Sequence, residues 1–304
     1  MVQPRANIRI SRSVKKNLTY LAYLWAWKIL RFLPAPVAYG LMNRLADRIT
    51  DRSGKSIERM RSNYRQVHPD YSDKQLAQAV RIGMRSYLRY WCDTFRLPSW
   101  SDDEIIQSVS VTNEHYLRDA LAAGSGCIVS LPHAGNWDHA GAYFCKTGAP
   151  LVTVAEHLEP EKLFRKFLAY RESIGMEVLD ASGRSLAILA QRLRANRLVA
   201  LVADRDLSKT GVDVNFCGAN ARMPGGPALL AIQTGAPLIT AFVSYTESGL
   251  HIHFDPAITV PVSGTTTEKV SAMIQECATR LEGHLQTKLT DWHMLQRIWV
   301  DERR

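Results

Sequence analysis

From about residue 125 the chain alternates short apolar runs with amphipathic stretches of helical length, and this alternation restricts its fold more than any other feature. Residues 127–131, 151–155 and 198–203 are runs of Leu, Val, Ile and Ala with almost no polar interruption. Runs of that kind suit strands covered on both faces. Residues 137–146, 160–174 and 185–195 lie after them at helical length, the second starting with a proline. Residues 177–179 and 212–216 read as further strands. The uncharged run 223–246 is long enough to suggest a membrane span, but Pro224-Gly225-Gly226-Pro227 and Thr234-Gly235-Ala236-Pro237 break it twice. It parses as a turn, a helix over 228–233, a second turn and a buried strand over 238–244. Residues 251–254 then pair with that strand as a hairpin, and 267–288 form a long helix. The pattern predicts an α/β fold, a central and mainly parallel β-sheet flanked by helices.

The first third reads differently. Helices are expected over 37–50, 55–67, 74–96 (capped by Ser72) and 102–107. No repeat and no low-complexity linker occurs, so the expectation is a single domain over 1–304, with 1–120 mainly helical and 121–304 an α/β core. Charge divides the chain earlier, within the helical third. Residues 1–65 hold 14 of the 38 Lys and Arg but only three of the 29 Asp and Glu, a net +11, which leaves the remainder at −2. Within this basic region Tyr20, Tyr23, Trp25 and Trp27 adjoin Lys28 and Arg31. Aromatic rings beside cations suit a helix lying on an anionic membrane surface. The uncharged run 17–27 is too short to cross a bilayer, and no cleavage site of a signal peptide follows it. The alternative is a helix packed on the protein's own core, and one amphipathic helix can serve both roles. A basic nucleic-acid-binding module is the remote alternative, and nucleic acid is not expected as a partner. The five cysteines are odd in number and widely spaced, which suggests free thiols.

In open α/β sheets ligands bind beyond the carboxyl ends of the strands. After 127–131 comes Pro132-His133-Ala134-Gly135-Asn136-Trp137-Asp138, after 151–155 come Glu156 and His157, and after 198–203 come Asp204, Arg205 and Asp206. Several strands thus deliver His, Glu, Asp and Arg to one rim. His133 with Asp138 five residues later is the sharpest element: a carboxylate on one imidazole nitrogen fixes the tautomer and leaves the other as a general base. A metal held by His133, Asp138 and His139 is disfavoured, because the i, i+4 pair of histidines is missing. Arg171 continues the apolar stripe of Leu163 and Phe167. It reads either as a snorkelling helix-end cation or as an active-site arginine paired with Glu156 or Asp206. Arg222 ahead of Gly225-Gly226 could meet a phosphate, with the glycines exposing backbone N–H groups to an anion or oxyanion. There is no G-x-S-x-G elbow, which counts against an esterase or thioesterase, and Cys127 falls within an apolar strand, unsuited to act as a nucleophile.

These motifs resemble the bacterial lipid A biosynthesis acyltransferase family, which carries an H-x4-D/E motif. The resemblance rests on 133–138 (H-A-G-N-W-D), 204–206 (D-R-D), 211–218 (G-V-D-V-N-F-C-G) and 222–237 (R-M-P-G-G-P-A-L-L-A-I-Q-T-G-A-P). With 291–296 (D-W-H-M-L-Q), the chain is most similar to the actinobacterial branch that acylates phosphatidylinositol mannosides. The resemblance implies transfer of a fatty acyl chain, palmitoyl foremost, from acyl-CoA to a mannose 6-hydroxyl. This would take place at the cytoplasmic face of the plasma membrane, with the enzyme bound peripherally. No cofactor beyond the co-substrate acyl-CoA is implied. His133 would be the base oriented by Asp138. A second acid after strand 198–203 would be Asp206 in preference to Asp204, with Glu156, Arg171, Arg205, Arg222, Gly225 and Gly226 lining the substrate groove. An acyl carrier protein as donor is the alternative within the family.

Overall fold

The computed structural model describes residues 12–155, 160–181, 184–206 and 211–300. Its elements run α1 (Arg12–Phe32), α2 (Ala35–Asp51), α3 (Lys55–Val67), α4 (Asp73–Arg96), α5 (Asp102–Gln107), β1 (Val109–Thr112), α6 (His115–Ala122), β2 (Cys127–Leu131), α7 (Trp137–Lys146) and β3 (Leu151–Ala155). They continue with α8 (Glu161–Ser173), β4 (Glu177–Asp180), α9 (Ser185–Arg194), β5 (Leu198–Val202), β6 (Val212–Phe216), β7 (Ala219–Met223), α10 (Gly226–Thr234), β8 (Leu238–Tyr245), β9 (Leu250–Phe254) and α11 (Thr266–Lys288). Among the described residues the main sheet has the order β1-β9-β8-β2-β5-β3-β4. Every neighbouring pair is parallel except the β8–β9 hairpin. This is the α/β layer that the alternation predicts.

Burial follows the sequence pattern. All five residues of β2 are buried, as a central parallel strand covered by helices on both faces requires. By contrast β1 and β7 are strands that no apolar run announces: Val109-Ser110-Val111-Thr112 and Ala219-Asn220-Ala221-Arg222 mix apolar and polar residues and are only partly buried. The predicted strand 212–216 lies outside the main sheet, in a two-stranded antiparallel ribbon with β7. Asp213 and Asn215 alternate with Val214 and Phe216, so one face is solvated, which a strand inside the parallel sheet would not tolerate.

The helical third is organised on α4, against which α1, α2 and α3 all pack. The cap expected at Ser72 is present as a capping box: Gln75 N–H donates to Ser72 Oγ, and Ser72 N–H donates to Gln75 Oε1. Such a cap contributes about 1 kcal/mol. Helix α1 carries apolar residues on two faces. Tyr23, Trp27 and Leu30 turn inward, with Trp27 5.1 Å from the Phe95 ring and 5.8 Å from that of Phe167. Leu21, Trp25, Ile29 and Phe32, spaced for one helix face, remain exposed, Phe32 by 76%. Val37, Leu41 and Leu45 extend the exposed row along α2. No helix among the described residues is long and apolar enough to cross a membrane.

One buried histidine ties the helical third to the core. His139 on α7 is 1% exposed, with Nε2 3.1 Å from Ser108 Oγ and Trp100 edge-on to its ring. Burial pushes its pKa down to about 4 from 6.5. The unfolded chain therefore binds a proton between those values that the folded chain does not. Stability contributed by the neutral ring is complete above pH 6.5 and lost as the pH falls toward 4, at about 1.4 kcal/mol per pH unit. Urea unfolding between pH 4 and 7 is expected to show this decline, shallower by about one proton in His139→Gln.

Candidate active site

The strand register builds the site. β2 pairs with β5 residue for residue, Cys127 opposite Leu198 through Leu131 opposite Val202. Ala203 N–H donates to Leu131 O at 2.9 Å, so the pairing continues past the strand ends. His133 and Asp204, each two residues beyond its strand, therefore emerge side by side, since paired strands lie about 4.8 Å apart. His133 Nδ1 is 2.5 Å from Asp204 Oδ1, and His133 N–H donates to Asp204 Oδ2 at 3.1 Å.

The Asp204 side chain is completely buried, whereas that of His133 is 24% exposed. Burial opposes the carboxylate charge, but His133 and the hydrogen bonds from its ring, its main-chain N–H and the Trp292 indole together hold the Asp204 carboxyl below its usual range. An ionised carboxylate only accepts hydrogen bonds, so Nδ1 carries the proton and Nε2 the lone pair.

The C-terminal stretch 291–293 fixes the loop after β2 from the other side. Trp292 Nε1–H donates to Asp204 Oδ2 at 2.9 Å. Ala134 and Trp292 form an antiparallel bridge, His293 N–H donates to His133 O at 2.7 Å, and Gly135 N–H donates to Asp291 O at 3.0 Å. Gly135 adopts φ +56°, and a Cβ there would lie 2.6 Å from Val243 O, so only glycine lets the loop pass. The stretch is held in turn by α3, whose Tyr64 hydroxyl donates to Trp292 O at 2.8 Å and whose Asn63 Nδ2 donates to Met294 O and Gln296 O, each at 2.9 Å. Ser86 Oγ lies 2.9 Å from both Asp291 Oδ1 and His293 Nε2. Burial, with His133 nearby, pushes the His293 pKa down to about 3. His293 is therefore neutral and adds no charge beside a proton arriving on His133.

Other expected site residues fall elsewhere. The pairing of His133 with Asp138 is replaced by that with Asp204. Asp138, in the first turn of α7, accepts from Arg171 Nε at 2.8 Å and from the Tyr90 hydroxyl at 3.0 Å. Arg171 is therefore an ion-paired residue, but its partner is Asp138 and not Glu156 or Asp206; Glu156 lies outside the described residues. Burial opposes its charge, and Asp138 outweighs that to raise its pKa. The preference for Asp206 over Asp204 is also corrected. Asp206 N–H donates to Arg222 O at 2.7 Å and its side chain lies against Gly211, because two further residues carry it past the register with His133. Arg205 reaches Gln296 Oε1. Arg222, expected to meet a phosphate, donates from Nε to Asp213 Oδ1 at 2.6 Å as a cross-strand pair in the β6–β7 ribbon. Gly225 and Gly226 open α10; a Cβ on Gly225 would press on Val212 and Val270 at 3.1 and 3.2 Å, whereas one on Gly226 would only touch Leu186 at 3.8 Å, an ordinary contact. Trp292, Ser86, Tyr90 and His293 carry no signal of their own in the sequence, apart from the D-W-H triplet.

The site is bordered by apolar space. One cavity holds Asp138 and Arg171 beside Leu131, Trp137 and Met176, and a second, wholly apolar one shares Leu131 and Trp137 and continues to Phe144 and Phe254. Trp137 stands edge-on to His133 at 5.5 Å and stacks on Tyr90 at 4.2 Å. A base fixed by a buried carboxylate, with apolar side chains on one side, is equipped to deprotonate a hydroxyl or water.

Trp292→Phe is expected to lower stability by about 1–3 kcal/mol, because Asp204 loses a donor that no water replaces. In a double-mutant cycle with Asp204→Asn, read by urea unfolding, the two losses should fall short of additivity by at least about 1 kcal/mol. Additive losses would show that the indole and the carboxylate do not interact.

Known proteins similar to this chain match nearly its whole length. The model of the family described as bacterial lipid A biosynthesis acyltransferase matches residues 7–301. A protein of Mycolicibacterium smegmatis named phosphatidylinositol mannoside acyltransferase is 38% identical over 295 residues, covering 95% of each chain. Proteins of the same name from two Mycobacterium tuberculosis strains are each 36% identical over 293 residues, covering 95% of this chain and 90% of theirs. The match extends over the helical third as well as the sheet that carries His133 and Asp204, and the chain belongs to the bacterial lipid A biosynthesis acyltransferase family.

Proposed function

We propose that this acyltransferase moves a fatty acyl chain, palmitoyl in the first instance, from acyl-CoA to the 6-hydroxyl of a mannose in a phosphatidylinositol mannoside. The observation that carries the reading is the His133–Asp204 pair, with one nitrogen of the imidazole committed to a buried carboxylate. A sugar hydroxyl is too weak an acid to attack a thioester unaided at neutral pH. His133 Nε2 takes its proton as the oxygen attacks the thioester carbonyl, and Asp204 stabilises the imidazolium that forms. The tetrahedral intermediate then collapses, the C–S bond breaks, and the proton passes from His133 to the departing thiolate. No acyl-enzyme is needed. Asp138 acts at one remove by anchoring the first turn of α7 through Arg171 and Tyr90, which sets Trp137 against His133.

Two further features support the reading. Trp137, edge-on to His133, gives the base an apolar side that continues through Phe144 and Phe254. The exposed rows on α1 and α2 offer a surface for a lipid acceptor's own membrane. Leu21, Trp25, Ile29 and Phe32 lie beside the exposed Lys28 and Arg31, and Val37, Leu41 and Leu45 beside Arg44 and Arg48. Apolar side chains in the headgroup region with cations against anionic lipid would seat the enzyme on the cytoplasmic face of the plasma membrane, where acyl-CoA is supplied. The names of the relatives point to the same acceptor.

Incubating the protein with palmitoyl-CoA and a mannosylated phosphatidylinositol should give an acceptor heavier by one palmitoyl group in mass spectrometry. His133→Ala and Asp204→Asn should fold and lose about 10²–10⁴-fold in turnover. Wild-type turnover in His133→Ala would overturn the mechanism. Preference for an acylated carrier protein in donor competition would overturn the choice of donor. For the membrane surface, Trp25→Glu with Phe32→Glu should weaken binding to anionic vesicles at least about tenfold while leaving transfer to a detergent-dispersed acceptor intact.

A further inference from the structure

A second group of metal-ligating side chains lies away from the His133 site. His253 on β9, Asp255 just beyond it and His284 on α11 bring their ligand atoms within 4.8 Å of one another. We propose that these three residues form a divalent transition-metal site, best suited to zinc, that staples α11 to the β8–β9 hairpin.

The backbone sets the three side chains in place. Phe242 and His253 are cross-strand partners in the antiparallel pair. The ring of His284 stacks on Phe242 from α11, with centroids 5.2 Å apart and planes at 20°. Both imidazoles are thus arranged around one buried phenyl ring. Asp255 N–H donates to Thr240 O at 3.0 Å, which extends the ladder by one residue and fixes the carboxylate beside them. Asp255 Oδ1 is 3.6 Å from His253 Nε2, and Oδ2 is 3.1 Å from His284 Nε2. Zinc–ligand bonds of about 2.0–2.2 Å at the tetrahedral angle separate donor atoms by roughly 3.4 Å, a spacing that each imidazole already has to one of the two Asp255 oxygens.

The donor set selects the ion. Two imidazoles and a carboxylate suit zinc and its neighbours, whereas calcium and magnesium require oxygen ligands throughout. Thr240 Oγ1–H donates to Asp255 Oδ2 at 2.6 Å, the outer hydrogen bond that orients a ligating carboxylate. The side chains are 36%, 17% and 20% exposed for His253, Asp255 and His284, so an ion can enter and water can complete its shell. The site lies two strands from β2 in the sheet order, roughly 10 Å at the usual strand spacing. Its ion would join α11 to the hairpin, and α11 walls a cavity that His284 and Asp204 both line.

The test uses the full-length protein, dialysed against a chelator and titrated with Zn²⁺ by calorimetry and with Co²⁺ by its visible absorption. The expected result is one ion per chain, a tetrahedral cobalt spectrum, and a Tm rise of about 5 °C at a hundredfold excess over Kd. His284→Gln and Asp255→Asn should each weaken binding at least about a hundredfold. His251→Gln, on the same face of β9 but bonded to Ser110 and Thr112, should leave it unchanged. His253→Gln alters the most exposed of the three ligands and serves where a buried change prevents folding. Absence of saturable binding, or wild-type affinity in His253→Gln, His284→Gln and Asp255→Asn, would overturn the proposal.

Discussion

A carboxylate shut away from water persists as an anion only if donors meet it from several sides, and Asp204 is that carboxylate here. Its donors are the His133 ring, the His133 main-chain N–H and the Trp292 indole. They come from the loop after β2 and from a segment nearly ninety residues downstream of Asp204. Each donor is itself fixed. The β2–β5 register brings His133 alongside Asp204, and α3 and Ser86 hold the stretch 291–293. The helical third is thus part of the scaffold of the candidate site, and damage to α3 should be felt at Asp204 through Trp292.

The same helical third faces outward with a different chemistry. Most surface helices have one apolar stripe, which they bury. Helix α1 has two: Tyr23, Trp27 and Leu30 against the protein, and Leu21, Trp25, Ile29 and Phe32 against solvent. The two readings of the N-terminal sequence, core helix or membrane-surface helix, therefore do not compete. One face packs on Phe95 and Phe167 and leaves the other available to lipid.

The pairing errors are instructive about what spacing conveys. Asp138, five residues after His133, is close in sequence and sits at a helix start, where a carboxylate is favourable on local grounds alone. Its oxygens are taken by Arg171 and Tyr90, residues from two other helices that no local pattern connects to it. Asp204, seventy-one residues from His133, is the partner because Cys127 pairs with Leu198 at the same offset. Arg222 went astray likewise: a cross-strand acid, Asp213, meets it in a ribbon whose second strand has no apolar run to announce it.

By itself the sequence determined the layer architecture, the buried central strands, the hairpin, the cap of α4, and the placing of His133 and Asp204 just beyond neighbouring strand ends. These follow from periodicity, chain breakers and strand-end chemistry, all of which act over a few residues. Its motifs also carried the family resemblance. Tertiary structure alone decided which carboxylate holds His133, because strand register is fixed by the packing of entire faces. It also decided that the stretch 291–293 closes the site and that His253, Asp255 and His284 meet around Phe242. Those contacts span long stretches of chain, and they exist only once burial has brought the sheet and its covering helices together.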